Sequence, residues 1–507
     1  MISLETLYVA PANLTAHAPI LAIVIPLLGA CAAGLAPGGR SAWVICVAAA
    51  VFTAWMSLAT ACEAMRQEAV VYVLGGFQPP LGITLRVDAI GALLGLLIAV
   101  VGLLAAIASG HSLEAEIRKE KHSLFLSGFL LCQAGLIGIV YTGDAFNAFV
   151  CLEISSIGTY ALVATGGASD RRALPAAFNY LVLGTIGATF YVIGVGFLYG
   201  ATGTLNMIDM AARLAAHGQN APVHAGFAFI MVGLGIKAAM FPLHGWLPGA
   251  YAYAPSLITL LLAATATKAS LYLMARFLFE VFPDGAAASE VFRTWILGPL
   301  AATGVIVCSL QAIFEQDIRR ALAFSSVAQV GFILLGFAVG GDQGLSASLF
   351  FVVAHGLVKA VLFMTLGGLT ISLRARRIVD FAGIARDAPW TVLAFSLGAA
   401  SLVGTPLTMG FLAKWQMIEA ALAGERYWIA AVMVAGSALT LLYVGRILEV
   451  MLFREPAPGA PRAKEAPAGV VLPALLLGGI SIWFGVDSSL PGQLSVGGAA
   501  GLFGARP

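Results

Sequence analysis

The sequence predicts an all-α integral membrane protein of about 14 transmembrane helices, built as two inverted five-helix repeats that each contain a broken helix. Three observations carry that reading. Of the 507 residues, 60% are hydrophobic and 10% charged, and the mean hydropathy is +0.95, which excludes an ordinary soluble domain. Apolar runs long enough to cross a bilayer recur along the whole chain. Ionisable residues interrupt those runs at a handful of positions, where each costs about 2.5–3.5 kcal/mol on insertion scales.

In chain order, apolar runs near 18–37, 41–62 and 88–109 make an N-terminal part over 1–122. Between the second and third, Val70–Val87 alternates apolar and polar residues around Gly75-Gly76 and Pro79-Pro80, the pattern of a β-hairpin outside the membrane. Runs near 123–141, 144–166, 175–200, 224–246 and 254–280 form a first unit, 123–280. Runs near 294–314, 321–340, 346–371, 390–422 and 428–452 form a second, 294–452. The remainder, 453–507, holds a last helix near 469–487 and a glycine-rich tail read as too irregular for another span.

The two units echo each other. Ile154-Ser155-Ser156-Ile157 is matched by Phe324-Ser325-Ser326-Val327, and Ala176–Tyr180 by Ala347–Phe351, at offsets of about 170 residues or five helices. An odd number of spans turns the second copy over, and inverted repeats with interrupted helices are a transporter pattern. The interruptions fall in matching places, Gly235…Pro242 and Gly404-Thr405-Pro406…Gly410, each within eight residues of a lysine.

Basic residues set the orientation. Loops after odd-numbered helices carry fifteen, from Arg40 to Lys464, against seven on the other side, among them Arg86, Arg276 and Arg506. The positive-inside rule then places the odd-to-even loops in the cytoplasm and both termini outside. Met1–Ala18 lacks a basic stretch ahead of the first apolar run, so no cleavable signal peptide is expected. The six cysteines stand singly in apolar surroundings without metal-ligand spacing, as packing residues do. A net charge of +2 gives no reason to expect a nucleic-acid partner.

The chemistry lies in Glu153, Lys237, Lys268, His355, Lys359 and Lys414, all inside apolar runs. Glycines and a proline beside Lys237 loosen helical hydrogen bonding and admit water. A lysine taken out of water holds its proton less tightly, and so can exchange it near neutral pH. Glu153 is the natural partner of a lysine: unit charges 4 Å apart at an effective dielectric of 20 interact by about 4 kcal/mol. A purely structural salt bridge is the plainer alternative. His355 and Lys359, four residues apart, share a helix face, and histidine suits a relay between lysines. Further candidates are His244 and the hydroxyls of Ser155, Ser156, Thr265, Thr267, Ser325 and Ser326 with Gln329, which can hold connecting waters or simply bond between helices. No phosphate loop, nucleophile elbow, zinc motif or haem motif is present, so no cofactor or metal is expected. An ion gradient or a partner must then supply the energy.

These residues, in this order, resemble the antiporter-like subunits shared by respiratory complex I, membrane-bound hydrogenases and Mrp-type multisubunit Na+/H+ antiporters. The likeness is sharpest in Lys237-Ala-Ala-Met-Phe-Pro-Leu-His-Gly-Trp-Leu-Pro248, Ala250-Tyr-Ala-Tyr-Ala-Pro255 and Ala266-Thr-Lys268, and extends over about 120–450. Phe149-Val-Cys-Leu-Glu153-Ile-Ser-Ser and Gly404-Thr-Pro…Phe411-Leu-Ala-Lys414-Trp agree with it. The resemblance implies a fold of fourteen helices with breaks at Pro242 and Pro406. It also implies a charged axis of Glu153, Lys237, Lys268, His355 and Lys414 that passes protons laterally, and work within a complex of other membrane subunits in a prokaryotic-type inner membrane. Lys359 stands outside the pattern. Lys414 stands where the M-type subunit of complex I carries a glutamate, and the tail is short where the L-type subunit has a lateral helix. Both turn the likeness toward the D-type subunit of the Mrp antiporters. The expectation is thus a proton-translocating subunit of a Na+/H+ antiporter. The alternatives are a proton-pumping subunit of a redox complex and a membrane anchor with no transport of its own.

Overall fold

The computed structural model describes residues 12–67, 69–218, 220–282, 287–456, 458 and 462–504. The leader segment weighed above thus lies largely outside the described residues, as does Arg506. Among the described residues eleven helices are long and apolar enough to cross a bilayer, and Ala18–Gly34, Ala221–Lys237 and Pro389–Val403 are shorter apolar helices. Polar residues at the ends of the apolar runs begin the helices. Asp88 accepts from Gly91 N at 2.7 Å, Asp144 from Asn147 N at 2.7 Å, and Asn220 from Val223 N at 3.2 Å, each meeting a backbone donor that the helix itself leaves free.

The hairpin forms where alternation predicts it: Ala69–Val73 pairs antiparallel with Thr84–Asp88, with Val71 opposite Arg86. Gly75 and Gly76 take φ of 63° and 77° at its turn, a conformation open to glycine without penalty. Two long apolar runs are interrupted as anticipated. The first runs Ala221–Lys237, breaks, and resumes as Leu247–Tyr253; the second runs Pro389–Val403 and resumes as Met409–Ala423.

Burial sorts the helices into an axis and a rim. The most apolar stretches of Gly341–Leu373, Ser256–Val281 and Ile318–Val339 are almost wholly enclosed, whereas Ala173–Thr202, Tyr427–Phe453 and Ala468–Val486 turn most of theirs outward. Rim side chains such as Phe178, Leu442 and Trp483 are exposed, as expected of a lipid-facing surface. The enclosed helices are the ones that carry Lys268, Ser325, His355 and Lys359.

Small residues set the approach of Ala173–Thr202 to Ala221–Lys237. A Cβ on Gly194 would come within 2.6 Å of the Gly226 carbonyl oxygen, and one on Gly233 within 2.6 Å of that of Gly187. Backbones this close gain dispersion that lipid cannot replace. Gly194→Leu is therefore expected to push the pair apart, at about 1–3 kcal/mol or more, and to lower the yield of folded protein several-fold. Fluorescence-detected size exclusion of the detergent extract measures this, and an unchanged peak would refute it.

Two expectations need correcting. The tail is not irregular: Ser489–Gly504 is helical. Its glycines are poor helix formers, but Ala499 and Leu502 are buried, and a Cβ on Gly498 would meet Ile90 at 2.6 Å, so close packing overrides propensity. Arg276, counted above among loop charges, is instead fully buried within the Ser256–Val281 helix, where Glu280 compensates its charge.

Candidate functional site

Lys237 is the last residue of its helix segment, at the point where the backbone leaves the helix. Ala239 takes φ of 57°, and Trp246 donates its indole N–H to the Ile236 carbonyl at 2.8 Å, occupying one of the acceptors released by the break. The Lys237 ammonium donates to Ser156 Oγ at 2.7 Å, to Glu153 Oε1 at 3.4 Å and to Tyr160 Oη at 3.5 Å. Glu153, Ser156 and Tyr160 lie three and four residues apart on Ala145–Thr165, so one helix face supplies all three partners. Glu153 keeps 22% of its side chain exposed and Lys237 5%, so the pair stands between a solvent-reachable carboxylate and an enclosed amine.

Lys268 is buried in the middle of the axis. Its ammonium donates to the Ala263 carbonyl and to Thr267 Oγ1, the latter at 3.3 Å. Ala263 belongs to a π-helical turn, Leu262–Ala266, in which backbone carbonyls are displaced from ordinary helical pairing. Aromatic rings lie between the two lysines. Tyr160 meets Tyr180 edge-on at 4.7 Å, Tyr180 stacks on Trp246 at 4.2 Å, and Tyr251 donates to the Leu262 carbonyl at 3.0 Å.

His355 is buried, and neither ring nitrogen has a hydrogen-bond partner among the described residues. It lies within electrostatic reach of Lys268, Lys359 and Lys414 together. Lys359 donates to Ser325 Oγ at 2.5 Å and to the Leu322 carbonyl at 2.9 Å. Lys414 donates to the Leu402 and Val403 carbonyls at 2.9 and 3.1 Å, at the end of the first half of the second interrupted helix. Gly404 and Leu407 take φ of 89° and 69° there, and Thr408 caps the second half by accepting from Phe411 N at 3.3 Å.

The structure thus brings Glu153, Ser156 and Lys237 into one hydrogen-bonded group, and Lys268, Thr267, His355, Lys359 and Lys414 into a second. Other candidates fall away from both. Ser155 and Thr265 donate to carbonyls of their own helices, Leu152 at 2.9 Å and Leu261 at 2.5 Å. Ser326 does the same with Leu322, and Gln329 donates to Thr440 Oγ1 at 3.4 Å. His244 faces Cys308 across the first break, and Pro242 and Pro406 are exposed at their breaks.

A further buried charged cluster escaped sequence reading. Tyr272 donates to Asp88 Oδ2 at 2.7 Å, Arg276 to Glu280 at 2.7 Å, and Arg86 of the hairpin to Glu280 at 2.5 Å. Lys268, Tyr272, Arg276 and Glu280 follow one another at four-residue steps on a single helix, a spacing that could have drawn attention. Glu280 is wholly enclosed, so Glu153 is not the most secluded carboxylate, contrary to the sequence reading.

Residues 142–440 match the family described as NADH:quinone oxidoreductase/Mrp antiporter, TM. Over 482 residues the chain is 42% identical to NADH-quinone oxidoreductase subunit N of Desulforudis audaxviator, an alignment covering 92% of this chain and 95% of that one. It is 31% identical over 419 residues to the D-type subunit of a Na+/H+ antiporter of Bacillus subtilis, 82% of each chain. Among solved structures, a chain of the Mrp complex from a Dietzia species matches with a TM-score of 0.88 at 27% identity, over 97% of this chain and 98% of that one.

Proposed function

Because the chain belongs to the NADH:quinone oxidoreductase/Mrp antiporter transmembrane family, we propose that it is the proton-translocating subunit of a multisubunit membrane complex, with its protons carried by the two groups just described. The observation that carries this is the Lys237 ammonium, enclosed at a helix break and bonded to Ser156 and to the part-exposed Glu153. Protons enter at Glu153 and Lys237, cross by way of water held among Tyr160, Tyr180 and Tyr251, and pass Lys268 and His355 toward Lys414. Lys359, bound to Ser325 and near His355, is a member of the second group. Units 123–280 and 294–452 are the two inverted repeats of a fourteen-span fold, flanked by 1–122 and 453–507. The odd-to-even loops lie in the cytoplasm and both termini outside, in a prokaryotic-type inner membrane.

Two kinds of assembly fit this chemistry. Identity of 42% over 92% of the chain to a subunit of an NADH-quinone oxidoreductase, against 31% to an antiporter subunit, supports a redox-driven complex. The near-complete overlay on a chain of an Mrp complex supports the second reading, a Na+/H+ antiporter. Mass spectrometry of the intact complex, drawn from native membrane by a tag on this chain, separates them. Iron–sulfur or flavin subunits are expected in the particle. Small hydrophobic subunits alone, without iron, would establish the antiporter instead.

A further inference from the structure

Away from the buried lysines, a cleft of about 1420 Å³ opens at the ends of the axial helices. Five guanidinium groups line it, those of Arg319, Arg374, Arg376, Arg386 and Arg462. Three carboxylates, Glu116, Asp380 and Asp387, share the lining, so positive charge is in excess. Two of the arginines are engaged within the chain. Arg319 is buried and donates to Ser256 Oγ at 2.5 Å and Thr370 Oγ1 at 2.7 Å, with Glu116 at 3.8 Å. Arg376 pairs with Asp170 at 3.0 Å. A hydrogen bond from Arg172, aided by the Arg376 charge, keeps the Asp170 carboxyl below its ordinary range, so that ion pair stays charged. The guanidinium groups of Arg374, Arg386 and Arg462 have no hydrogen bond or ion pair among the described residues.

The cleft continues into a shallow groove of different chemistry. Ile371 lines both, and beyond it the groove is walled by Leu257, Leu260, Phe363, Met364 and Val470. From Ile371 to Phe363 the Gly341–Leu373 helix advances about 12 Å, from the helix end into the depth of the span. Unpaired arginines at the interface, above an apolar groove running into the bilayer, match a negatively charged head on a hydrocarbon chain. Basic pockets between membrane helices recognise anionic lipid heads in this way.

We propose that this cleft and groove bind one anionic phospholipid, with the phosphate among Arg374, Arg386 and Arg462 and an acyl chain along Ile371, Met364 and Phe363. The occupant is a lipid rather than a soluble phosphate because the groove is apolar and joins the cleft at a residue common to both.

The test uses the intact complex, reconstituted with phosphatidylglycerol carrying a diazirine in its acyl chain. Adducts are mapped by mass spectrometry after irradiation. Labelling of 363–371 or 467–470 is expected at least tenfold above that given by the matching phosphatidylcholine. It should fall at least fivefold when Arg374→Gln, Arg386→Gln and Arg462→Gln are combined. These three side chains are exposed, so the variant keeps its fold, and Ile371→Trp, which blocks the junction, should reduce labelling independently. Equal labelling by phosphatidylcholine would overturn the proposal, as would labelling indifferent to the arginines. Competition by soluble glycerol phosphate would make the cleft a site for a free anion. A partner subunit crosslinked from position 374 in place of lipid would show that protein covers it.

Discussion

Lys237→Gln is expected to reduce proton translocation by the assembled complex at least tenfold, to the background of the assay. An amide can still bond Ser156 Oγ, which lies 2.7 Å from the ammonium, so the local packing is largely kept. What is lost is a group that takes and releases a proton, together with the positive charge 3.4 Å from Glu153. At an effective dielectric of 20 that pair is worth about 5 kcal/mol before the screening that the part-exposed carboxylate receives. Glu153→Gln should act through the same pair and in the same direction. The check is quenching of a pH-sensitive dye in inverted vesicles, alongside native gels showing that the complex has assembled. Wild-type quenching by an assembled Lys237→Gln complex would remove the residue from the path and favour an anchoring role for the subunit.

Glu280→Ala is expected to have the largest effect on stability, about 3–5 kcal/mol, the usual cost of stripping one partner from a buried ion pair. Glu280 receives Arg276 at 2.7 Å and Arg86 at 2.5 Å, and it and Arg276 are both entirely enclosed. Its loss leaves Arg276 charged and without a carboxylate, and frees the hairpin from the Ser256–Val281 helix. Arg86→Met, at a residue still partly in contact with solvent, should cost less. Thermal midpoints of the detergent-solubilised complex, read by loss of the monodisperse peak, decide the matter. A midpoint for Glu280→Ala within a degree or so of wild type would show that the hairpin is held by other contacts.

Much of this architecture was legible because lipid as a solvent leaves few choices. A chain that must satisfy its backbone internally writes its spans as apolar runs, and the positions of Gly235, Pro242, Gly404 and Pro406 marked both interruptions. The lysines stood out for the same reason. Their partners did not, because hydrogen bonding depends on which helix faces which. Nothing in Ile154-Ser155-Ser156 says that Ser156 turns to Lys237 while Ser155 bonds its own helix at Leu152. Arg276 and Glu280 were hidden by lying near the end of an apolar run, where charges ordinarily mean water. The helix Ser489–Gly504 was hidden by glycines that are tolerated only because they let it lie close against Ile90.

The distorted turns have one more consequence. Lys268, Lys359 and Lys414 each donate to backbone carbonyls, those of Ala263, Leu322 and of Leu402 with Val403, whereas Lys237 alone of the four faces a carboxylate. A helix end or a displaced carbonyl offers a fixed partial negative charge, about half an electron for a whole helix terminus. Such a counter-charge cannot rotate away, be protonated or leave. The inner three ammonium sites therefore sit in a permanent field set by the fold, and Glu153 is the one adjustable element at the end of the row. A row of rigid wells with a single movable gate at its mouth has a front and a back, and that asymmetry is what a one-way conductor requires.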